Sequence, residues 1–153
     1  MPHLLVAGKL HPSGLDLLRA APVTFDYVEE ISEPSYQAYL PKADALVIRT
    51  QPLSAASIAK AAGLKIVSRH GVGYDAVDVP TLNARGIPLC IVGDVNSSGV
   101  AEHAMMLILA ATHRLIAADQ ATRAGDWGWR IGLQTQEVAG KRLLIQGFGR
   151  IGQ

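Results

Sequence analysis

The sequence predicts an α/β protein built on a parallel sheet. Short β-branched runs alternate with helical segments from Leu4 to Val92. Strand, helix, strand, helix at this spacing requires crossover connections and therefore parallel strands. Several helical segments also carry their own capping signals, and the composition supports a packed core. Hydrophobic residues make up 49% of the 153 residues and charged residues 18%, which excludes a disordered polar chain. A chain of this length buries roughly two-thirds of the surface its unfolded form exposes.

The elements follow in order. Leu4 to Ala7 reads as a strand, Pro12 to Ala20 as a helix, Val23 to Val28 as a strand and Pro34 to Leu40 as a short helix. Ala45 to Arg49 is a third strand. Ser54 then suits an N-cap, because its hydroxyl can accept from the unpaired amides of the next turn. That helix runs to about Ala62, with Gly63 as a left-handed C-cap. Leu64 to Ser68 is a fourth strand. Asp78 caps the next helix, with Pro80 in its first turn, where a missing N–H costs nothing. Gly86 ends that helix, and Ile87 to Val92 is a fifth strand.

Beyond Gly93 the pattern changes. The loop to Asn96 is the expected boundary between a first domain, 1–95, and a second, 96–153. One long helix is predicted from about Ser98 to Ala124, closed by Gly125. Its middle, Ala104 to Ala111, is apolar on every face, whereas a surface helix shows only an apolar stripe. Cover from another domain or subunit is therefore expected. Arg142 to Gln146 reads as a sixth strand running into Gly147-Phe148-Gly149-Arg150-Ile151-Gly152. A parallel strand of this kind expects partners and flanking helices, so the second domain reads as incomplete at Gln153.

Charge and composition narrow the function. The net charge is +1 with both signs interspersed, which gives no nucleic-acid surface or polybasic membrane patch. No charged leader precedes an apolar run at the start, and Ala104 to Thr112 is far shorter than the roughly 20 residues of a membrane span. A soluble cytoplasmic protein is expected. The single cysteine, Cys90, lies in an apolar run and reads as a small core residue.

Three constellations carry possible chemistry. Gly147, Gly149 and Gly152 match G-x-G-x-x-G directly after an apolar strand. That is the context in which the glycines allow a tight turn, close approach of backbone to a pyrophosphate, and packing of the next helix. The acidic residue that would choose between NAD and NADP is expected about 20 residues further on. Ser68 to Asp75 lies at the carboxyl end of a parallel strand, where ligands bind in open sheets. Gly71 and Gly73 let amides converge on an anion, and Arg69 adds a fork suited to a carboxylate. An ordinary glycine turn with a surface arginine reads equally well. Arg49 ends the third strand similarly, although strand-end arginines are commonly just solvated. In Asn96 to His103, Ser97 or Ser98 is expected to cap the long helix and Glu102 to complement its dipole. Capping does not account for Asn96. His3, His11, His70, His103 and His113 show no metal-binding spacing, and there is no G-x-S-x-G elbow.

In this order the segments resemble the D-isomer-specific 2-hydroxyacid dehydrogenase family. Arg69 through Asp78 resembles its G-V-G-x-D-x-x-D loop, and Asn96 through His103 its N-S-x-x-V-A-E-H helix start. Arg123 through Trp127 resembles its R-x-G-x-W segment, and Gly140 through Gly152 its G-K strand and G-x-G-R-I-G turn. The resemblance implies a flavodoxin-like substrate domain followed by the first elements of a Rossmann dinucleotide-binding domain. It implies hydride transfer between C2 of a small anionic D-2-hydroxyacid and NAD or NADP, with a 3-phosphoglycerate or hydroxypyruvate/glyoxylate type of substrate. Val72 and Gly73 would hold the carboxylate, and Arg49, Arg69 and Asn96 would contact substrate. Val100 would lie near the nicotinamide, with Gly147, Phe148, Gly149, Arg150, Ile151 and Gly152 around the pyrophosphate. The long helix would build a homodimer.

Two residues depart from the family pattern: His70 replaces a small residue, and Gly99 stands where serine or alanine is commoner. The family's catalytic arginine, glutamate and histidine all follow the fingerprint, so residues 1–153 alone are expected to be inactive. The same fold also serves NAD-sensing corepressors, which leaves a regulatory protein or a non-catalytic fragment as the alternatives.

Overall fold

Five strands, β1 (His3–Ala7), β2 (Thr24–Val28), β3 (Ala45–Ile48), β4 (Ile66–Arg69) and β5 (Leu89–Ile91), form one parallel sheet in the order β2-β1-β3-β4-β5. This is the flavodoxin-like order, with its topological switch point between β1 and β3. The computed structural model describes residues 1–132 and 134–153. The chain divides into two units, Met1–Gly93 and Asp94–Gln153.

In the first unit, helices α1 (Pro12–Ala20), α2 (Glu33–Gln37), α3 (Ala55–Lys60) and α4 (Val79–Ala84) connect the strands. Right-handed crossovers place α1 on one face of the sheet and α2, α3 and α4 on the other. The core lies on the three-helix face. Leu5, Leu46 and Val67, successive partners across the sheet, are fully buried there, together with Tyr36, Ile58 and Leu82 from the three helices. Side chains alternate between faces along a strand. The next residues in register, Val6, Val47, Ser68 and Cys90, therefore point to the face that carries α1, the one helix of this unit placed there. Val6 is buried, whereas Ser68 and Cys90, toward the β5 edge, are exposed. The expectation of a buried Cys90 is thus corrected: the apolar run around it is an edge strand on a sparsely covered face.

Local signals explain the helix ends. The Ser54 hydroxyl accepts from the Ser57 amide at 3.3 Å, and the Asp78 carboxylate accepts from the Thr81 amide at 3.0 Å. Gly86 adopts φ +64°, a left-handed conformation glycine takes without steric cost. Two expectations shift. The segment predicted as one helix from Pro34 to Leu40 divides into α2 and a 3₁₀ turn, Leu40–Lys42, because Pro41 has no N–H to continue the α-helical ladder back to Gln37. Helix α3 ends at Lys60, and Gly63 has no positive φ. A side chain from α4's end closes α3 instead. The Arg85 guanidinium donates to the carbonyls of Ile58, Ala61 at 2.8 Å and Ala62 at 3.2 Å.

The second unit contains α5 (Ser97–Thr112), α6 (Leu115–Arg123) and a 3₁₀ segment, Trp127–Gly132. The predicted single helix from Ser98 to Ala124 is broken, with its halves bent by 59°. Arg114 takes a left-handed conformation, φ 49°. Its amide donates back to Ala111 at 3.2 Å, and its carbonyl accepts from Ala118 at 3.0 Å, which ends one helix and starts the next. Gly125 closes α6 at φ +70°. The predicted strand Arg142–Gln146 is not formed; among the described residues of this unit there is no other strand for it to pair with. In the single chain, Met105, Met106, Leu107 and Leu109 are each about half exposed. Among the described residues, no single helix is long and apolar enough to cross a membrane.

Candidate functional site

At the carboxyl edge of the sheet, the residues singled out in the first unit come together. Ile48 and Arg69 are partners in the last register position of β3 and β4, so Arg69 and Arg49, one residue further on, leave adjacent strands at the same edge with side chains that start on opposite faces. The Arg49 guanidinium donates to the Lys9 carbonyl, just past β1, at 3.1 Å. The Arg69 guanidinium folds back and donates to the His70 carbonyl at 2.9 Å. An arginine has five N–H donors in a planar fork, so one such bond orients each group while leaving most of the fork for other acceptors.

The glycine loop after β4 is held at both ends. The His70 amide donates to Ile48 at 2.7 Å, the Gly71 amide to Arg69 at 2.8 Å, and the Val92 amide to Gly71 at 3.3 Å. At the far end, Leu53 and Val77 form an isolated parallel bridge. The Leu53 amide donates to Ala76 and the Asp78 amide to Leu53, at 2.8 and 2.9 Å. Between these anchors, the amides from Val72 to Ala76, those of Val72 and Gly73 among them, donate to no protein acceptor among the described residues. The two glycines differ. A Cβ at Gly71 would meet the Arg69 guanidinium nitrogen at 2.8 Å, so a side chain there would push the folded-back arginine aside. At Gly73 a Cβ would meet only Asp75, at 3.6 Å, and φ is not positive. Nothing within the protein requires Gly73.

One residue of this edge was missed in the sequence. Gln51 is 1% exposed. Its carbonyl oxygen accepts from the Thr50 amide at 3.0 Å, and its amide nitrogen donates to the Glu30 carbonyl at 3.0 Å. Gly8, at φ +108°, leaves the space it fills: a Cβ there would stand 2.8 Å from Gln51 Oε1 and 2.6 Å from Arg49 Cβ. A glutamine between a strand end and Pro52 reads as solvated loop, so no local signal reveals its burial.

Beside it, Glu33 accepts from the Ser54 amide at 2.8 Å and the Ser54 hydroxyl at 2.6 Å. Partial burial pushes the Glu33 carboxyl up, but hydrogen bonds from Ser54 and Ser57 outweigh it and hold the group below its ordinary value. Burial, with Glu33 nearby, pushes the Tyr36 phenol far up, so it stays neutral and donates to the Pro52 carbonyl. The ion pairs Lys42–Asp26 at 2.7 Å and Lys65–Asp44 at 2.8 Å lie at the opposite, amino edge.

In the second unit, Asn96 rather than Ser97 or Ser98 is the N-cap of α5, and its side chain makes no capping bond. Ser97 and Ser98 lie inside the first turn, because Asn96 already carries the non-helical φ of −126° and its carbonyl accepts from Val100 at 3.0 Å. Val100 is half-exposed. The segment Gly147–Gly152 closes on itself. Gly147 has φ +99°, the Gly152 amide donates to Gly149 at 3.1 Å, and a Cβ at Gly152 would collide with the Gly147 carbonyl. The amides of Phe148, Gly149 and Arg150 donate to no acceptor among the described residues, and a Cβ at Gly149 would meet nothing. No hydrogen bond joins this turn to Asn96 or Val100 among the described residues. No cluster of metal-binding side chains occurs among them either.

Comparison with known proteins agrees with this geometry. The family described as D-isomer specific 2-hydroxyacid dehydrogenase, catalytic domain, matches residues 4–141. D-3-phosphoglycerate dehydrogenase of Mycobacterium bovis is 38% identical over 154 residues, covering 100% of this chain and 29% of its own length. A crystal structure from Polaromonas sp. JS6 66, assigned to the NAD-binding members of the family, is similar with a TM-score of 0.88 at 30% identity, over 99% of this chain and 50% of that one. The NADPH-dependent glyoxylate/hydroxypyruvate reductase of Sinorhizobium meliloti gives 0.73 at 29%, over 99% and 48%. The chain spans half or less of the length of these relatives. A parallel sheet in this order, a clamped glycine loop at its carboxyl edge and a family match over nearly the whole sequence lead to one conclusion: this chain belongs to the D-isomer-specific 2-hydroxyacid dehydrogenases.

Proposed function

We propose that the chain serves an NAD- or NADP-dependent oxidoreductase acting on a small D-2-hydroxyacid of the 3-phosphoglycerate or hydroxypyruvate/glyoxylate type. The observation that carries this is the run of amides from Val72 to Ala76 that donate to no protein acceptor among the described residues, on a loop clamped at both ends, with Val72 and Gly73 the two that the family resemblance assigns to the carboxylate. Two preorganised N–H donors suit a carboxylate, and charge-assisted bonds of this kind contribute about 1.5–3 kcal/mol each. Because the protein itself does not need glycine at 73, close approach of a ligand is a sufficient reason for it. Arg49 and Arg69 flank the loop and suit a second anionic group. Asn96 would contact substrate. The turn from Gly147 to Gly152, with its open amides at Phe148, Gly149 and Arg150, fits a pyrophosphate, and Ile151 and Val100 would pack nearby. The nicotinamide, when bound, supplies the hydride carrier. The residues named here bind and orient.

Relatives named for phosphoglycerate, glyoxylate and hydroxypyruvate support the substrate class. The exposed apolar face of α5 suits cover by a second copy of the chain. Residues 1–153 alone are expected to show no turnover.

The test is NADH and NADPH oxidation by the full natural chain with hydroxypyruvate or glyoxylate, and NAD or NADP reduction with D-3-phosphoglycerate. Gly73→Val should lower kcat/KM by about a hundredfold by obstructing the carboxylate. Absence of turnover with all of these substrates would sink the proposal, and full activity in Gly73→Val would remove the loop from it.

A further inference from the structure

We infer that Gln51 is a positioning residue that sets the Arg49 guanidinium at the β1/β3 switch point, where a second anionic group of the substrate is read. This rests on the reading above and deepens it. In open parallel sheets the crevice at the switch point is where ligands sit. Here that crevice is framed by Gly8 after β1 and Arg49 after β3. Among the described residues, the Arg49 guanidinium has one anchor, the Lys9 carbonyl at 3.1 Å. The place of that carbonyl depends on the Gly8 turn, and the Gly8 turn is packed against Gln51.

Gln51 therefore holds three loops together with one amide. Its oxygen takes the Thr50 amide, fixing the residue after Arg49. Its nitrogen takes the Glu30 carbonyl, fixing the loop after β2. Its body fills the space a Gly8 side chain would occupy, fixing the loop after β1. A buried polar side chain with both ends bonded is rigid, and removing one end leaves a backbone group unsatisfied. Arg69 has a separate anchor, the carbonyl of its own neighbour His70. Loss of Gln51 should therefore displace Arg49 and leave Arg69 in place.

The consequence is selectivity between substrates that share a carboxylate and differ in a second anion. D-3-phosphoglycerate and D-glycerate are such a pair. With the full natural chain and its nicotinamide cofactor, the ratio of kcat/KM for D-3-phosphoglycerate over D-glycerate is measured for wild type, Arg49→Ala, Gln51→Met, Gln51→Glu and the Arg49→Ala/Gln51→Met double variant. Gln51→Met should lower the ratio about tenfold through KM for D-3-phosphoglycerate, with kcat within about twofold. Gln51→Glu keeps the acceptor for Thr50 and loses the donor to Glu30, so it should fall between. In the Arg49→Ala background, Gln51→Met should change the ratio by less than about twofold, since coupled residues are not additive.

Equal losses on both substrates, or additive effects in the double variant, would show Gln51 to be merely structural and overturn the inference. Should Gln51→Met fail to fold, the Gln51→Glu ratio decides, and an unchanged ratio overturns the inference. A wild type that turns over both substrates equally also removes the second-anion site but leaves the enzymatic reading intact. A wild type inactive on every 2-hydroxyacid and 2-oxoacid overturns that reading, and this one with it.

Discussion

The two units of this chain have similar apolarity and opposite fates. In Met1–Gly93, Leu5, Leu46, Ile58 and Leu82 are fully buried. In Asp94–Gln153, none of the described residues is buried, although α5 is among the most apolar segments of the sequence. The difference lies in partners. Every strand of the first unit has a parallel neighbour, and three helices close one face. The second unit has two helices bent apart at Arg114 and, among its described residues, no strand for the apolar segment Arg142–Gln146 to pair with. Hydrophobic sequence supplies a driving force, but burial needs a second surface to receive it.

The largest effect that could break this comparison comes from matched truncations. Leu46→Ala should destabilise the first unit by about 2–5 kcal/mol, the usual cost of emptying a core site. Leu107→Ala on α5 should change stability by less than about 0.5 kcal/mol in the chain of residues 1–153, as surface substitutions do. Urea denaturation measures both. Equal costs would mean that α5 is covered in solution, and a dependence of the second value on protein concentration would identify the cover as another copy.

A smaller effect sharpens the account of the first unit. Arg85→Ala removes the donor to three carbonyls at and just beyond the end of α3 and should cost about 1–3 kcal/mol. Little or no change in the urea midpoint would mean that water satisfies these carbonyls equally well.

The smallest effect is one of pH. Glu33, Asp26 and Asp44 are all held below their ordinary values: Glu33 by serine hydrogen bonds that outweigh burial, Asp26 by Lys42 and His3 that outweigh burial, and Asp44 first by Lys65. A depressed folded value contributes stability above the unfolded value and loses it as pH falls through the folded one. The melting temperature should therefore fall as pH drops below the ordinary glutamate value of 4.5. Glu33→Gln should lower it most at neutral pH and least in acid. A constant difference across pH would show that the carboxylate's charge does not matter.

These contrasts also explain what the sequence revealed. Strands β1 to β5 and the caps at Ser54, Asp78 and Gly86 were legible because each is a local pattern that the surrounding fold agrees with. The end of α3 was not, because its cap is Arg85, 24 residues beyond the last-turn carbonyl of Ala61. The break at Arg114 was not, because a left-handed arginine carries no glycine or proline to announce it. Cys90 was misplaced because periodicity identifies a strand without saying which face or edge it occupies. Among the candidate residues, Arg69, Val72 and Gly73 lie in a recognisable motif and Arg49 is named by the family resemblance, whereas Gln51 is defined only by three loops meeting in space.

The bridge between Leu53 and Val77 has an evolutionary consequence. It ties the loop after β3 to the loop after β4, so neither can change length at its tie point without dragging the other. Insertions and deletions across the family should therefore be rare at 53 and 77. They should collect instead in segments with no such tie, such as the stretch from Glu29 to Ser32. The bridge makes two separate loops drift through sequence space as one.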